Sequence, residues 1–111
     1  MADKYILDGT MPVRCTDLMT WARWMEQRKP NGDDVRRVAE TTVGEVRVST
    51  VFLAIDHSFN SRIPILFETM AFGGPLDQEQ ERYATWAEAE RGHAAMVERV
   101  IASLAKEPPR G

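Results

Sequence analysis

The chain has a single cysteine, Cys15, among its 111 residues. One thiol cannot close an internal disulfide, so a disulfide-stapled scaffold is excluded. Long apolar runs are missing too. No stretch approaches the roughly 18–20 apolar residues that a membrane-spanning helix needs. Neither sign of charge dominates: 14 Lys and Arg stand against 17 Asp and Glu, a formal net charge of −3. Residues 1–34 hold five basic and six acidic side chains, residues 35–62 four and three, and residues 63–111 five and eight. No segment is basic enough to gain affinity from neutralising phosphates, which disfavours direct nucleic-acid binding. The sequence also lacks the phosphate-binding Gly-x-x-x-x-Gly-Lys loop, the Gly-x-Gly-x-x-Gly fingerprint, His-Glu-x-x-His, paired Cys-x-x-Cys and Gly-x-Ser-x-Gly. These absences remove the readily assigned enzyme classes, and no cofactor or metal is expected.

What remains is an ordinary globular composition, 43% hydrophobic and 28% charged. Disorder requires low hydrophobicity with high net charge, and this chain has neither. Its length fits one domain, expected over residues 1–107 with a short tail at 108–111. The opening Met1-Ala2-Asp3-Lys4-Tyr5 lacks the charged-then-apolar pattern of an export signal. Together with the lone thiol, this leads to the expectation of a reducing cytoplasm and no membrane association.

Tyr5-Ile6-Leu7 reads as a short strand stopped by Asp8-Gly9, after which Pro12 keeps the chain extended. Thr16, with Asp17 beside it, is the expected cap of a helix whose apolar face is Leu18, Trp21, Ala22 and Met25, extended by Trp24. The helix should stop near Arg28, before Pro30-Asn31-Gly32. Val35–Thr42 and Glu45–Ile55 read as strands about a tight turn at Val43-Gly44, and Ile63–Phe72 as another. Glu79–Tyr83 suits a charged edge strand. Thr85 and Glu88 form a capping box ahead of a stripe running from Trp86 through Ala89, His93, Met96 and Val100 to Leu104. Consecutive strands with short links imply an antiparallel sheet. The expected fold is α+β, an antiparallel sheet of about three to five strands with two amphipathic helices on one face.

Four polar side chains are candidates for chemistry. Asp56 and His57 sit where a buried strand becomes a loop, a usual place for functional groups. A carboxylate can orient a neighbouring imidazole, although adjacent strand residues point to opposite faces. Glu68 lies inside an apolar strand, where a carboxylate needs a partner such as Arg47 or else has a perturbed pKa. His93 lies on the apolar stripe of the last helix, the usual position of a core histidine. If His93 approached the Asp56-His57 loop, the set could form an acid–base site. Cys15 precedes a helix and is read as an unreactive thiol. Trp21, Trp24 and Met25 are the candidate partner-binding surface, since a short helix has difficulty burying both tryptophans in one direction.

Two strings carry a resemblance. Arg47-Val48-Ser49-Thr50-Val51-Phe52-Leu53-Ala54-Ile55-Asp56-His57-Ser58-Phe59 and Leu66-Phe67-Glu68-Thr69-Met70-Ala71-Phe72-Gly73-Gly74 resemble a family of small phage and prophage proteins. The segment from Tyr83 to His93 resembles that family's closing segment, and the likeness spans roughly residues 4–100. Ala54 and Ala71 stand where the family pattern has Gly and Val. The resemblance implies an accessory protein working in a host cytoplasm and supplies no catalytic residues. The expected function is therefore non-enzymatic binding of a host or phage protein, a host-defence inhibitor being one form of it. The alternatives are a small enzyme or ligand-binding protein using Asp56, His57, Glu68 and His93, and a structural homodimer or virion component.

Overall fold

The computed structural model describes residues 2–59 and 61–106. The proposed tail at 108–111 lies outside the described residues. The elements run β1 (Tyr5–Asp8), β2 (Met11–Arg14), α1 (Leu18–Glu26), β3 (Arg37–Val43), β4 (Val46–Phe52), β5 (Phe67–Phe72), β6 (Gln80–Tyr83) and α2 (Trp86–Ala105). The α+β class and the antiparallel sheet follow the expectation. Strands β3-β4-β5-β6 form a four-stranded antiparallel sheet in sequence order, and β1-β2 form a separate hairpin.

Register decides which side chains meet. Val48 lies opposite Thr41 and Ala71, and Thr50 lies opposite Ala39 and Thr69. Because side chains alternate along a strand, Val46, Val48, Thr50 and Phe52 share one face with Phe67, Thr69 and Ala71. Helix α2 crosses this face. Its buried residues, Ala89, His93, Met96 and Val100, recur at spacings of four, three and four, one stripe of a 3.6-residue helix. The capping box forms as the sequence predicts: Thr85 accepts from the Glu88 amide, and the Glu88 side chain accepts from the Thr85 amide. The opposite sheet face carries Arg47, Ser49, Glu68 and Met70.

The core divides into two clusters. One gathers Val46, Val48, Ala71, Met96 and Val100 between sheet and α2. The other gathers Phe52, Ala54, Leu66, Phe67 and Ala89, with Trp21, Trp24 and Met25 packed against it. An aromatic row runs through the second. Trp24 meets Phe52 edge-on at 5.6 Å, Phe52 meets Phe67 at 5.3 Å, and Phe67 meets Trp86 edge-on at 6.2 Å. This row brings α1 to the face that α2 covers, but at its end.

Several boundaries differ from the sequence reading. The helix cap is Asp17, not Thr16: its carboxylate accepts from the Thr20 amide at 3.2 Å. Helix α1 ends at Glu26, two residues before Arg28. The turn is Gly44-Glu45, one residue later than expected, with Gly44 at φ +59°. Strand β5 starts at Phe67, because Ile63–Leu66 belong to the connection that contains Pro64. Strand β2 escaped notice. The sequence reading has only an extended chain at Pro12, whereas β2 is an edge strand in which Pro12 pairs with Leu7 across a two-residue Gly9-Thr10 turn.

Ala54 has a left-handed backbone, φ +65°, and is fully buried. At this residue the partner of the extended chain changes. Phe52 donates to the Arg36 carbonyl of the β3 side, and two residues on the Ala54 carbonyl accepts from Tyr5 of β1. The left-handed turn thus joins the hairpin to the sheet. A left-handed conformation costs an L-residue about 1–2 kcal/mol, which Gly avoids. Ala54→Gly should therefore change stability by less than about 1 kcal/mol, the lost methyl and added chain entropy offsetting the relief. Ala71→Gly, in an ordinary strand, should cost about 1.5–2 kcal/mol in the same denaturant titration.

Gly92 of α2 packs closely against Tyr83. A Cβ there would lie 2.0 Å from the Tyr83 hydroxyl oxygen. Gly92→Ala should destabilise by about 1–2 kcal/mol, overpacking outweighing the gain in helix propensity. In a Tyr83→Leu background the same change should be neutral or stabilising, a coupling that a double-mutant cycle measures.

Candidate functional site

The four chemistry candidates do not converge. His93 is 7% exposed beneath α2. Its Nε2 lies 2.8 Å from the Thr41 hydroxyl and its Nδ1 2.7 Å from the Thr50 hydroxyl, which in turn lies 2.6 Å from the Thr69 hydroxyl. Three strands thus supply one hydroxyl each to a chain of buried polar contacts centred on the imidazole. Burial pushes the His93 pKa below its ordinary value. A hydroxyl can donate or accept, so each ring nitrogen finds a suitable partner. This is a satisfied core histidine.

Glu68 is adjacent to Thr69 and therefore points to the other sheet face. Its carboxylate pairs with Arg82 of β6 at 2.9 Å, not with Arg47, and its side chain is 15% exposed. Arg47 instead stacks over Phe72 at 4.3 Å and reaches Glu40 at 4.0 Å.

Asp56 and His57 lie beyond the end of β4. His57 follows Thr50 by seven positions, past the left-handed Ala54, and shares no hydrogen-bond partner with His93. Asp56 Oδ1 accepts from the amides of Ser58 at 2.8 Å and Ile65 at 3.0 Å. It therefore ties the two ends of the 57–64 loop. Partial burial pushes the Asp56 carboxyl up, but these amides, the Ser58 hydroxyl and His57 outweigh it and hold the pKa below the ordinary value. His57 is exposed, and its Nδ1 donates to the Ile55 carbonyl at 2.7 Å. Asp56 and His57 each bond the backbone and do not form a catalytic pair.

Among the described residues, no group of three or more His, Cys, Asp or Glu gathers as metal ligands. The clefts at Asp34–Leu53, at Ala2–Thr16 and between β6 and α2 include none of the four candidates. The last is about 240 Å³, below the roughly 300–1,000 Å³ of usual ligand pockets.

The candidate partner surface also moves. Trp21, Trp24 and Met25 are half-buried in the second core cluster. Trp21 Nε1 donates to the Ala54 carbonyl at 3.2 Å, and the Lys4 ammonium lies over its ring. Both tryptophans turn inward because the hairpin and the end of β4 supply walls that the sequence did not reveal. The exposed apolar residues of α1 are instead Leu18 and Met19, 58% and 57% exposed. Phe59 and Ile63 of the clamped loop are exposed as well, Phe59 almost completely.

Backbone pairing ties the segments that lead into these residues to one short stretch of chain. Cys15 donates to Lys4, Lys4 bridges to Ile55, and Asp56 donates to Asp3. The chain therefore leaves β2 toward Leu18 and leaves the extended end of β4 toward Phe59 on either side of the same short segment, Asp3–Lys4. Sequence reasoning missed Leu18 as a surface residue because it lies on the same helical stripe as Met25. Phe59 carried one readable signal, an aromatic within a polar loop.

No protein family, curated protein or solved structure matches the chain. No helix of the described residues is long and apolar enough to cross a membrane.

The His93 network generates a pH dependence with a definite sign. Its folded pKa is depressed, so the unfolded chain binds more protons as pH falls. The stabilising contribution is complete above the unfolded value of about 6.5 and is lost as pH drops through it toward the folded value. Thermal unfolding should show the melting temperature falling below about pH 6.5, and His93→Gln should flatten that limb. Asp34, held at about 2 by its bond to Arg36, acts only at much lower pH. Thr50→Val leaves His93 Nδ1 and Thr69 without a partner and should cost about 1–3 kcal/mol at neutral pH.

Proposed function

We propose that this protein is a non-enzymatic binding protein of phage-accessory type that acts by docking on another protein. The observation that carries this reading is the exposure of Leu18, Met19, Phe59 and Ile63 on two segments whose preceding residues, Cys15 and Asp56, both bond the Asp3–Lys4 backbone. Apolar and aromatic side chains held out on a supported frame are what protein interfaces use as anchors. The frame here is supported: Asp17 caps α1, and Asp56 clamps the base of the loop. The dispersal of Asp56, His57, Glu68 and His93 favours this reading over a shared catalytic site. The likeness to small phage and prophage proteins adds a host or phage protein as the partner and a host cytoplasm as the setting.

The test is affinity capture from a bacterial lysate, comparing the native protein with Phe59→Ser and Met19→Asp. The expected result is a stoichiometric partner whose recovery falls at least about tenfold with either variant, as loss of an interface anchor produces. Arg82→Ala, on the far sheet face, should recover it unchanged. Equal recovery by all variants, or no partner above background, would sink the proposal.

A further inference from the structure

The β1-β2 hairpin and α1 are attached to the sheet at one place. Among the described residues, every fully buried side chain lies between Val46 and Val100. Residues 3–26 contribute none. Strands β3–β6 and α2 therefore close their own core, and Tyr5, Leu7, Trp21, Trp24 and Met25 lean on one end of it. Hydrogen bonding across this seam is equally sparse. The Ala54 carbonyl accepts both the Tyr5 amide at 2.8 Å and the Trp21 indole at 3.2 Å, and the Asp3 carbonyl accepts the Asp56 amide at 3.0 Å. Among the described residues no ion pair crosses it. The doubly bonded carbonyl belongs to the residue held at φ +65°. Strain of that kind persists only where the surroundings impose it, and here the segment docked on Ala54 is part of those surroundings.

Within residues 3–26 the ties are closer. Strands β1 and β2 pair from Tyr5 to Arg14, Cys15 donates to Lys4, Arg14 pairs with Asp3, and the Lys4 ammonium lies over Trp21 of α1. The link to β3 also holds itself. Lys29 donates to Asp33, Gly32 donates to Lys29, and Arg36 grips Asp34. The Lys29 ammonium and the Arg36 carbonyl fasten this link to Arg37 and Phe52. The link can therefore stay with the sheet while the chain before it moves.

We propose that residues 3–26 are a latch: the hairpin and α1 release together from the end of β4, while β3–β6 and α2 stay folded. Regions with few buried apolar contacts open as cooperative units, at less cost than global unfolding. Release bares the wall formed by Phe52, Ala54, Leu66 and Phe67. It also separates the exposed apolar residues, since Leu18 and Met19 ride on the latch whereas Phe59 and Ile63 stay with the sheet. The regulatory consequence rests on the docking reading above. A partner that touches both pairs binds the closed form and holds it shut, so latch closure and partner binding are linked.

Native-state amide exchange of the free protein tests the latch. The amides of Tyr5, Cys15 and Asp56, bonded along the seam or inside the latch, should exchange together, at least about tenfold faster than those of Leu53 and Leu66. The latter two bond to Leu66 and Tyr83, within the part that stays folded. Trp24→Ala should speed the first set at least about tenfold further and leave the second unchanged. Lys4 and Ile55 form an isolated antiparallel bridge with a backbone bond on either side, the narrow kind of pair that a disulfide spans. In a Lys4→Cys, Ile55→Cys, Cys15→Ser protein, oxidation should slow exchange at Tyr5 and Asp56 at least about tenfold, and reduction should restore it. The unsubstituted protein decides the matter even if a variant fails to fold. One common rate for both sets, equal acceleration of both by Trp24→Ala, or oxidation without effect overturns the latch. No partner enters these measurements, so the latch and the docking surface fail separately.

Discussion

The aromatic row Trp24–Phe52–Phe67–Trp86 holds the molecule together as one body. Helix α1 contains no fully buried residue, and the β1-β2 hairpin is not part of the main sheet. By themselves these pieces are too small to form a stable core, since short helices and isolated hairpins are marginal in water. They persist because Trp24 and Trp21 insert against the end of β4, where Phe52 and Ala54 are buried. Edge-on aromatic contacts add to the area they bury. The same insertion explains why Leu18 and Met19 remain outside: the tryptophans fill the available wall.

A second, polar constraint lies deeper. His93, Thr41, Thr50 and Thr69 replace what would otherwise be aliphatic packing between α2 and three strands. Such a network adds less stability than Leu or Val would, but it accepts one register. A slip of one residue in β3 or β5 would turn Thr41 or Thr69 to the opposite face and strand the imidazole. The histidine that resembles a functional residue in sequence is therefore the element that fixes how helix and sheet align.

Much of the architecture was legible in local pattern. The Thr85–Glu88 box and the Ala89–His93–Met96–Val100 stripe define α2, and the Val- and Thr-rich runs define β3 and β4. The errors share a cause. Thr16 and Asp17 are both good caps, and only the backbone path selects Asp17. Pro12 reads only as extended chain until a partner strand is present to pair with it at an edge. The candidate site was less legible. Asp56, His57, Glu68 and His93 are chemically capable residues, but a two-residue period sends Glu68 and Thr69 to opposite faces, and strand length carries His57 away from His93.

The sequence by itself determined the α+β class, the antiparallel order, the long capped helix and the lack of any readily assigned catalytic motif, because each depends on neighbours within one turn or one hairpin. Only the tertiary structure decided which apolar residues are core and which are surface. Trp24 and Leu18 flank the same apolar stripe of α1 on different sides, and helix periodicity does not say which flank is covered. Their fates differ because Phe52, 28 positions after Trp24 along the chain, folds back to meet one and not the other.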